Sequence, residues 1–239
     1  MLNSVILIKV KQRLNKLASN DYDNIQDWQI VEAFNKAQPD WTRRNLHGLN
    51  VVKEGDEQST RRIDDFQNLI STTGSGSIPS LVLSNKQYYY EAPIPADYLQ
   101  WKRISSDATK DCCPKPKRMV VYLAEQGNLD ELLRDKNKSP NYEWGETFAT
   151  LKGNKIQIYT NGEFTPVNAQ LTYYRQPIRI QIAGVVDPYT GLTPAVDTIC
   201  EFKDDIVELL IDETVKILAG DIEAINQMQR NSQSVESNN

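Results

Sequence analysis

An α+β fold, with an antiparallel β-domain inserted between helical ends, is predicted by the pattern of this 239-residue sequence. Three observations support the prediction. Apolar residues recur at steps of three and four near both ends of the chain, as on one face of a helix. Between residues 81 and 182 the period changes to two, and turn-forming residues separate the alternating runs. Helices that flank a run of strands are typical of α+β chains.

The N-terminal helical region is predicted to cover residues 1–73 and to begin with an amphipathic helix. Val10, Leu14 and Leu17 continue an apolar face through VILIKVKQRLNKL. Two lysines interrupt the apolar run and no small-residue cleavage site follows it, which argues against a signal peptide.

Two further helices are expected before residue 73. The second helix spans NIQDWQIVEAFNKA, with Asp23 or Asn24 as its N-cap and Pro39 as its end. It should run antiparallel to the first helix, because a short polar turn joins the two. The third helix is RRIDDFQNLI, which is expected to place three apolar residues on one side: Ile63, Phe66 and Ile70.

The inserted β-domain is predicted over residues 78–183, after a flexible connector in STTGSGSIPS. LVLSNKQYYYEAPIP and FATLKGNKIQIYTNG are predicted to form hairpins, the second with Gly153 and Asn154 at its turn. KRMVVYLAE and AQLTYYRQPIRIQI add strands, and Pro177 is expected to end the last strand or to confine it to an edge.

One short helix is expected to interrupt the strands, in GNLDELLRD. Asn128 and Glu131 have the spacing of a capping box, in which the side chain of each residue bonds the backbone of the other. The β-domain is therefore predicted to be a mostly antiparallel sheet with one helix.

A long C-terminal helix is predicted over residues 201–230 and is expected to pack with the N-terminal helices. Apolar residues form one stripe along it, and the charges of Asp204 and Asp205 at its start complement the helix dipole. At about 1.5 Å per residue, the run from Asp204, where the helix is expected to begin, to Arg230 measures roughly 40 Å. We therefore expect its end to project from the body that its start helps to build.

The apolar stripe becomes thin after Gly220, where Ile222, Ile225 and Met228 are the large apolar residues that remain. We predict that these three side chains are partly buried only in an assembly. Residues 231–239 are predicted to be a flexible tail or a tail that docks on a neighbour. In the alternative interpretation the helix frays into a disordered end, as termini often do.

The charge of the chain limits its partners. There are 27 basic and 32 acidic residues, which gives a net charge of −5. Tight binding to nucleic-acid phosphates depends on basic residues that displace counterions, so this balance argues against it. No run approaches the roughly 20 apolar residues that span a bilayer, and 39% hydrophobic residues are enough for a core. We expect a soluble globular protein without a membrane partner.

Three cysteines, Cys112, Cys113 and Cys200, do not make a disulfide framework, so a reducing compartment is expected. The adjacent pair lacks the spacing of zinc ligands, and we expect loop or partly buried thiols. The basic segment CCPKPKR is expected to be a solvated loop. Contact of this segment with an acidic neighbour or with nucleic acid is the alternative.

The residue types of an active site are scarce. His47 is the one histidine, and we expect it to be a surface or capping residue after a helix. Asp64 with Asp65, and Asp204 with Asp205, are adjacent in helices, where neighbouring side chains diverge by about 100°. No phosphate-binding loop motif is present. We therefore expect no catalytic residues, no cofactor and no metal.

The tyrosines at 88–90 and 173–174 are the remaining candidates for a binding surface. Successive side chains of a strand point to opposite faces, so at least one ring of each group is expected on the outer face. Tyrosine is enriched at protein interfaces, although ordinary packing within the sheet is the alternative. The candidate interface residues are Tyr89, Tyr174, Ile222, Ile225, Met228 and Arg230.

Six segments follow one another along most of the chain: WQIVEAFNKAQPDW, RRIDDFQNLI, YYYEAPIPADYLQWKRI, KIQIYTNG, LTYYRQPI and CEFKDDIVELLIDETVKILAGDIEAINQMQR. In this order they resemble virion structural proteins of crAss-like tailed bacteriophages, in the class of head-to-tail connector, adaptor or ring proteins that stack below the portal. The aliphatic and acidic final helix, after a strand with YYR and proline, carries most of the resemblance.

The resemblance implies a non-enzymatic protein that assembles from identical subunits into a ring, twelve-fold like the portal, around the channel through which the genome leaves. The implied partners are the portal protein and other connector or tail proteins, and genomic DNA passes without specific binding. The helical ends would form the ring body, and the β-domain would face outward or toward the next ring. The implied location is the virion, after synthesis in the cytoplasm of the host bacterium.

A second hypothesis is a non-enzymatic binding module, such as another tail or neck component, that uses the β-domain to bind a protein or a carbohydrate. The tyrosine-bearing sheet is the feature that supports it. The size of the protein in solution separates the two hypotheses, because a connector forms rings, alone or with the portal, and a binding module stays monomeric or dimeric.

Overall fold

The computed structural model of the protein describes residues 1–14, 25–49, 53, 55, 60–73, 80–84, 87–221 and 232–233. Within these residues it contains five α-helices and a mixed β-sheet, so the predicted α+β class is confirmed. The helices are α1 (Asn3–Leu14), α2 (Asp27–Leu46), α3 (Thr60–Phe66), α4 (Leu129–Arg134) and α5 (Asp204–Asp221). The strands are β1 (Ile70–Thr72), β2 (Ser80–Ser84), β3 (Gln87–Pro93), β4 (Tyr98–Lys110), β5 (Cys113–Leu123), β6 (Glu146–Lys152), β7 (Lys155–Tyr159), β8 (Thr165–Pro166) and β9 (Gln170–Arg175).

The chain separates into two compact units. The helical unit comprises Met1–Asn68 and Pro177–Asn239, and the sheet unit comprises Leu69–Gln176. The sheet unit is thus one continuous segment of the chain, whereas the helical unit is assembled from both ends.

The predicted first helix is confirmed as α1. It buries one side chain per turn, at Ile6, Val10 and Leu14, while Leu17 lies outside the described residues. This spacing is that of one face of a helix. α1 contacts both α2 and α5.

Ion pairs join α1 to α5. Lys9 and Arg13 both contact the carboxylate of Glu208, and Arg13 Nη1 lies 2.6 Å from Asp212 Oδ1. Burial by itself raises the pKa of Glu208, but the two cations outweigh burial and hold the pKa below its ordinary value. The charged form of Glu208 is therefore favoured in the folded protein.

The expected end of the second helix at Pro39 is wrong, because α2 continues through this proline to Leu46. Proline costs about 3 kcal/mol in a helix interior, since it lacks an N–H and its ring meets the preceding turn. Beyond Pro39, Trp41 is buried against Phe66 and Phe202, with ring centroids 5.7 and 5.5 Å apart. Burying one large apolar side chain stabilises by about 1.5–3 kcal/mol, so Trp41 and Leu46 together offset the cost of the proline.

The start of α2 also differs from the prediction. The helix begins after Gln26, whereas the expected caps, Asp23 and Asn24, lie outside the described residues. Gln29 Oε1 accepts a hydrogen bond from the Gln26 backbone N–H at 2.9 Å. This bond is one half of a capping box and satisfies a backbone donor at the helix start.

α3 is shorter than the predicted third helix. It ends at Phe66, a 3-10 turn follows over Gln67–Leu69, and Ile70 begins β1. Phe66 is buried but Ile63 is 45% exposed, so the expected shared apolar side is wrong. The helix ends early because Ile70 pairs with Tyr174 of β9 and adopts extended backbone.

α5 begins at Asp204, as predicted, with Asp204 and Asp205 in its first turn. Its apolar stripe is buried at Val207, Leu210 and Ile211, and the helix contacts α1 and α2. The predicted continuation to residue 230 lies outside the described residues and stays a prediction. Four predicted interface residues lie in that segment: Ile222, Ile225, Met228 and Arg230.

The sheet is mostly antiparallel, as expected, but one parallel pair makes it mixed. The strand order is β1-β9-β4-β5-β6-β7-β3-β2, and β8 pairs with one end of β4. β5 and β6 run parallel, whereas the other described pairs are antiparallel. A parallel pair needs a long crossover connection, and the segment with α4 provides it between β5 and β6.

The predicted hairpin turn at Gly153 and Asn154 is confirmed. Both residues have a φ of 59°, the left-handed backbone that a type I′ turn requires. β2 and β3 also pair antiparallel, as predicted. β9 ends at Arg175, before Pro177, but it lies between β1 and β4 and not at an edge.

The short helix α4 has the predicted position, but its expected capping box is wrong. The Asn128 side chain makes no capping bond. A 3-10 turn over Gln126–Asn128 runs directly into the helix, and Asn128 has φ −97° and ψ 4°. Capping needs extended backbone at this position, so the side chain cannot reach the open N–H groups.

Candidate interaction surfaces

The two tyrosines predicted for an interface are buried. Tyr89 lies against Tyr159 with 5.4 Å between ring centroids. Tyr174 is fully buried, with the Lys102 ammonium 5.7 Å from its ring centroid. In the first tyrosine group Tyr88 is the exposed ring, because alternation along β3 turns its neighbour inward.

The expectation of an exposed ring at Tyr173 or Tyr174 is wrong. Tyr173 belongs to the core of the sheet unit, and its hydroxyl donates to Asp97 Oδ1 at 2.9 Å. Tyr174 takes the opposite face and is buried there. Alternation determines which face a ring takes, but it does not determine whether that face is covered.

The residues considered for catalysis occupy structural positions. His47 is exposed and follows α2 as its C-cap, with its backbone N–H bonded to Arg43 O at 3.0 Å. Asp64 is exposed while Asp65 is buried, so the two carboxylates diverge. Among the described residues, no three His, Cys, Asp or Glu side chains come together as metal ligands. None of the described helices is both long and apolar enough to cross a membrane.

The cysteines fall into two environments. Cys112 and Cys113 are exposed at the turn between β4 and β5, with their Sγ atoms 3.3 Å apart. Cys200 is buried, and burial raises the pKa of its thiol to about 11. The basic segment that starts at Cys112 was expected to be a loop, but most of it belongs to β5. There Lys117 Nζ donates to Glu143 O at 2.6 Å, which ties it to the segment between α4 and β6 of the same chain.

The helical unit carries a loop with an unusual apolar surface, residues 183–199, which we call the apolar loop. Soluble proteins rarely expose several large apolar side chains together unless the surface binds a partner. The exposed side chains and their exposed fractions are Val186 54%, Tyr189 74%, Leu192 69%, Val196 75% and Ile199 55%.

Asp187 holds the apolar loop from within. Its buried carboxylate accepts hydrogen bonds from Tyr189 N–H at 3.0 Å, Gln181 Nε2 at 3.1 Å and Thr190 Oγ1 at 3.0 Å. The backbone carbonyl of Asp187 accepts a hydrogen bond from Gly191 N–H at 2.7 Å, and its backbone N–H donates one to the Leu192 carbonyl. One buried acid therefore organises the turn DPYTG.

The charge of Asp187 is stabilised by the same contacts. Burial by itself raises the pKa of this carboxyl, but the three hydrogen bonds and the nearby Arg179 outweigh burial, and the pKa lies below its ordinary value. Arg179 also stacks on the Tyr189 ring, with its guanidinium carbon 4.5 Å from the ring centroid, and binds Glu32 at 2.8 Å.

Two asparagines fasten the base of the apolar loop to the helices. Asn3 Nδ2 of α1 donates to the carbonyls of Gln181 and Thr198, at 2.9 and 3.0 Å, and these two residues also pair with each other. Asn35 of α2 forms two hydrogen bonds with the backbone of Ile180, at 3.0 and 2.8 Å. The loop is therefore held at its base and in its middle while its apolar side chains face solvent.

The sequence prediction missed the residues that hold this loop. Asn3, Asn35 and Arg179 act through partners that lie far away along the chain, so no local pattern marks them. Asp187 carries a usable signal, because an aspartate at the start of DPYTG is typical of a turn in which the side chain accepts backbone N–H groups.

The sheet unit carries a basic groove of about 530 Å³ between residues 101–105 of β4 and 118–123 of β5, which we call the β4–β5 groove. The pairing of the two strands ends at Ile104 and Val121, while both strands continue. Val120 and Tyr122, two residues apart and thus on one face of β5, are 52% and 55% exposed.

Cations surround the apolar residues of the β4–β5 groove. The described residues that line it include Lys102, Arg103 and Arg118 and no aspartate or glutamate. Arg118 is held in place, because its Nη2 lies 2.5 Å from Ser105 Oγ and 3.0 Å from Gln170 Oε1. The groove is therefore apolar at its centre and positively charged at its margin.

A second cleft of about 610 Å³ lies beside α4 and shares Tyr122 with the groove. Leu132 and Phe148 contribute its apolar surface, and Glu125 and Glu131 are among the acidic residues that line it. Its size and mixed lining are those of a site for a small ligand or a short peptide.

In comparisons with known proteins, no protein-family model matches this chain, and no curated protein shows significant sequence similarity to it.

Proposed function

We propose that this chain is a structural virion protein that forms a ring in the portal-to-tail connector of a tailed phage, surrounds the genome-exit channel and joins head to tail. The apolar loop is the observation that carries the proposal, because it keeps five large apolar side chains in solvent on a held backbone. A protein that acts through assembly needs such a surface.

The resemblance to crAss-like phage connector proteins supplies the identity of the assembly. Helices from both chain ends would form a bundle that makes the ring body, with α5 continuing to Arg230 and crossing to a neighbour. Ile222, Ile225 and Met228 would be buried there, and the tail after residue 230 would dock on a neighbour or on the portal. The ring would have twelve copies, to match the symmetry of the portal.

The charge of the chain is consistent with this role. A net charge of −5 keeps genomic DNA from adhering to the channel if acidic groups face it. DNA would then pass without specific binding, and the protein would need no enzymatic activity.

Mass measurement and imaging test the proposal. The purified full-length chain is studied by analytical ultracentrifugation and negative-stain electron microscopy over a range of concentrations, alone and with the portal protein. We expect closed rings, alone or on the portal. A chain that stays monomeric under all these conditions contradicts the connector function.

The cleft beside α4 favours a second candidate function, a protein- or carbohydrate-binding module. In this case the monomer would bind a peptide or a glycan saturably, and Phe148→Ala or Leu132→Ala would weaken binding. Screening the full-length chain against peptide and glycan arrays separates the two candidates, because a ring protein without such a ligand gives no specific signal.

A further inference from the structure

We propose that Cys112 and Cys113 form a redox-active dithiol, which a small-molecule disulfide such as oxidised glutathione reversibly converts into a disulfide between these two adjacent residues. Both thiols are exposed and their Sγ atoms lie 3.3 Å apart, which is the observation behind the proposal. This chemistry takes place within a single chain and is independent of the proposed ring.

The two cysteines lie at the end of a hairpin. β4 ends at Lys110 and β5 begins at Cys113, and these two residues pair with each other across the strands. Asp111 and Cys112 therefore form a two-residue turn. Because paired strands hold the backbone on both sides of this turn, the relative position of the two thiols is restricted.

Closure of the disulfide needs only a small movement. The S–S distance in a disulfide is about 2.05 Å, so the two Sγ atoms, which lie 3.3 Å apart, must approach each other by about 1.3 Å. Both side chains are exposed, so no packed neighbours oppose their rotation. A thiol held beside its target also reacts much faster than a thiol of another chain, which must first meet it by diffusion.

The exchange proceeds in two steps, in which atoms and electrons balance. The Cys112 thiolate attacks one sulfur of oxidised glutathione, breaks the glutathione disulfide and releases one reduced glutathione. Cys113 then loses its proton and attacks the Cys112 sulfur of the mixed disulfide, which forms the new bond and releases the second glutathione. The two cysteines lose two electrons and two protons, and the two glutathione thiols receive them.

The surroundings of the pair suit Cys113 for the second step. A hydrogen bond with Cys112 is the main reason why the pKa of the Cys113 thiol is raised. The negative charge of Glu143 adds to this rise, and the positive charge of Lys110 opposes it. Cys113 therefore keeps its proton while Cys112 reacts, as expected of a thiol that resolves a mixed disulfide.

The disulfide is expected to be labile. Adjacent residues place their Cα atoms about 3.8 Å apart, whereas ordinary disulfides join Cα atoms that are about 4.4–6.8 Å apart. A disulfide between neighbours in the chain is therefore strained, and strained or exposed disulfides are the ones that a thiol reductant opens readily. The pair should be reduced where reduced glutathione is in excess and oxidised where no thiol reductant is present.

Cys200 provides a control within the same chain. This thiol is buried, its Sγ lies 3.6 Å from Gln38 Oε1, and burial raises its pKa to about 11. The thiolate is the reactive form of cysteine, so a buried thiol with a raised pKa is a poor nucleophile. Cys200 should therefore stay reduced under conditions that oxidise the exposed pair.

Mass spectrometry of the full-length chain tests the proposal. The reduced chain is incubated with oxidised glutathione, the reaction is stopped, and free thiols are blocked with iodoacetamide in denaturant before intact and peptide masses are measured. We expect the chain to lose two hydrogen atoms, with the disulfide in the peptide that contains Cys112 and Cys113 and with Cys200 alkylated. Excess reduced glutathione should then restore both thiols.

Single variants separate the two steps of the exchange. Cys113→Ser and Cys112→Ser each lack one partner, so their mixed disulfide with glutathione should accumulate at least about tenfold above its level in the unchanged chain. The matched control is the double variant with both substitutions, which keeps Cys200 and should remain unmodified. Substitutions at these exposed positions should change stability little, and circular dichroism checks that each variant is folded.

Three results would overturn the proposal. In the first, both thiols of the unchanged chain stay free while the same oxidised glutathione oxidises dithiothreitol in a parallel sample. In the second, disulfides link different chains or involve Cys200. In the third, the mixed disulfide persists in the unchanged chain as it does in Cys113→Ser, or excess reduced glutathione fails to open the bond. None of these results bears on the ring, which mass measurement and imaging decide separately.

Discussion

At the residue scale, the hydrogen bonds of the Asp187 carboxylate hold the backbone of the apolar loop. A buried carboxylate is unfavourable unless donors satisfy it, and here a backbone N–H, an amide, a hydroxyl and a nearby guanidinium do so. Replacing it leaves donors of Tyr189 and Thr190 without their acceptor. The conformation of the apolar loop therefore depends on one charge.

We expect Asp187→Ala to destabilise the apolar loop by about 2 kcal/mol, since hydrogen bonds to a charged group contribute about 1.5–3 kcal/mol. Hydrogen exchange of backbone amides in residues 183–199 is the measurement, and exchange should become faster there and not in the sheet unit. Asp197→Ala is the matched control, because this exposed carboxylate of the same loop accepts a hydrogen bond from the Ala183 N–H at 2.8 Å. Equal exchange in the two variants contradicts the role of Asp187.

The same carboxylate predicts a pH dependence. Its pKa in the folded chain is lower than the ordinary value of 3.8, so its stabilising contribution is complete above that value and is lost as the pH falls through the folded pKa. The NMR shift of the Tyr189 amide proton should therefore titrate with a midpoint below 3.8. A midpoint above this value refutes the assignment, and Asp187→Asn should abolish the titration.

At the element scale, the start of α5 could be predicted from local signals, whereas the predicted end of the helix lies outside the described residues. Its start at Asp204 follows from local signals, namely two acidic residues and the first turn of an apolar stripe. Its apolar stripe is buried along the described helix, from Val207 to Leu218, and α1 and α2 contact it. The thin stripe after Gly220 continues beyond the described residues, and its burial against another chain stays a prediction.

Deleting all residues after Gln227 tests this interpretation of the C-terminal segment. We expect the shortened chain to fold with an unchanged melting temperature, because the buried part of α5 is retained. Ring formation should be impaired, since Met228 and the tail are proposed to lie against a neighbour. Assembly that matches the full-length chain supports the alternative, in which the end of the helix frays.

At the scale of the whole molecule, the two units have different origins in the chain. The sheet unit is continuous, and its ends lie close together because Ile70 of β1 pairs with Tyr174 of β9. Its core is formed within the unit by residues of several strands, among them Ile104, Leu171 and Tyr173. A segment with adjacent ends and its own core has the features of an inserted domain.

Residues 69–176 are therefore expected to fold alone. Circular dichroism should show strand structure with a cooperative thermal transition, and the ¹H–¹⁵N NMR spectrum should be well dispersed. A fragment of residues 80–176 is the matched control, because it lacks β1 and leaves one edge of β9 unpaired, and it should melt at a lower temperature. A poorly dispersed spectrum of the longer fragment contradicts independent folding.

The candidate surfaces were only partly accessible to prediction. The tyrosines were chosen because strand alternation guarantees that neighbouring rings face opposite ways, and this holds for Tyr88 and Tyr89. The prediction that Tyr174 lies at an interface was not met, because this side chain is buried. Its exposure depends on what covers each face of the sheet, which alternation does not determine. The apolar loop was not predicted, because its residues have no periodic pattern. The asparagines that hold it lie in helices that are distant along the chain.

The sequence by itself determined what short-range forces decide: the helical period of α1 and α5, the positive φ turn at Gly153 and Asn154, and the strands on either side of it. Tertiary structure alone decided the continuation of α2 through Pro39, the parallel pairing of β5 with β6 and the attachment of the apolar loop to α1 and α2. In each of these cases burial or a hydrogen bond from a distant segment outweighs a local preference of about 1–3 kcal/mol. Such contributions depend on which residues meet in space, and spacing along the chain does not contain that information.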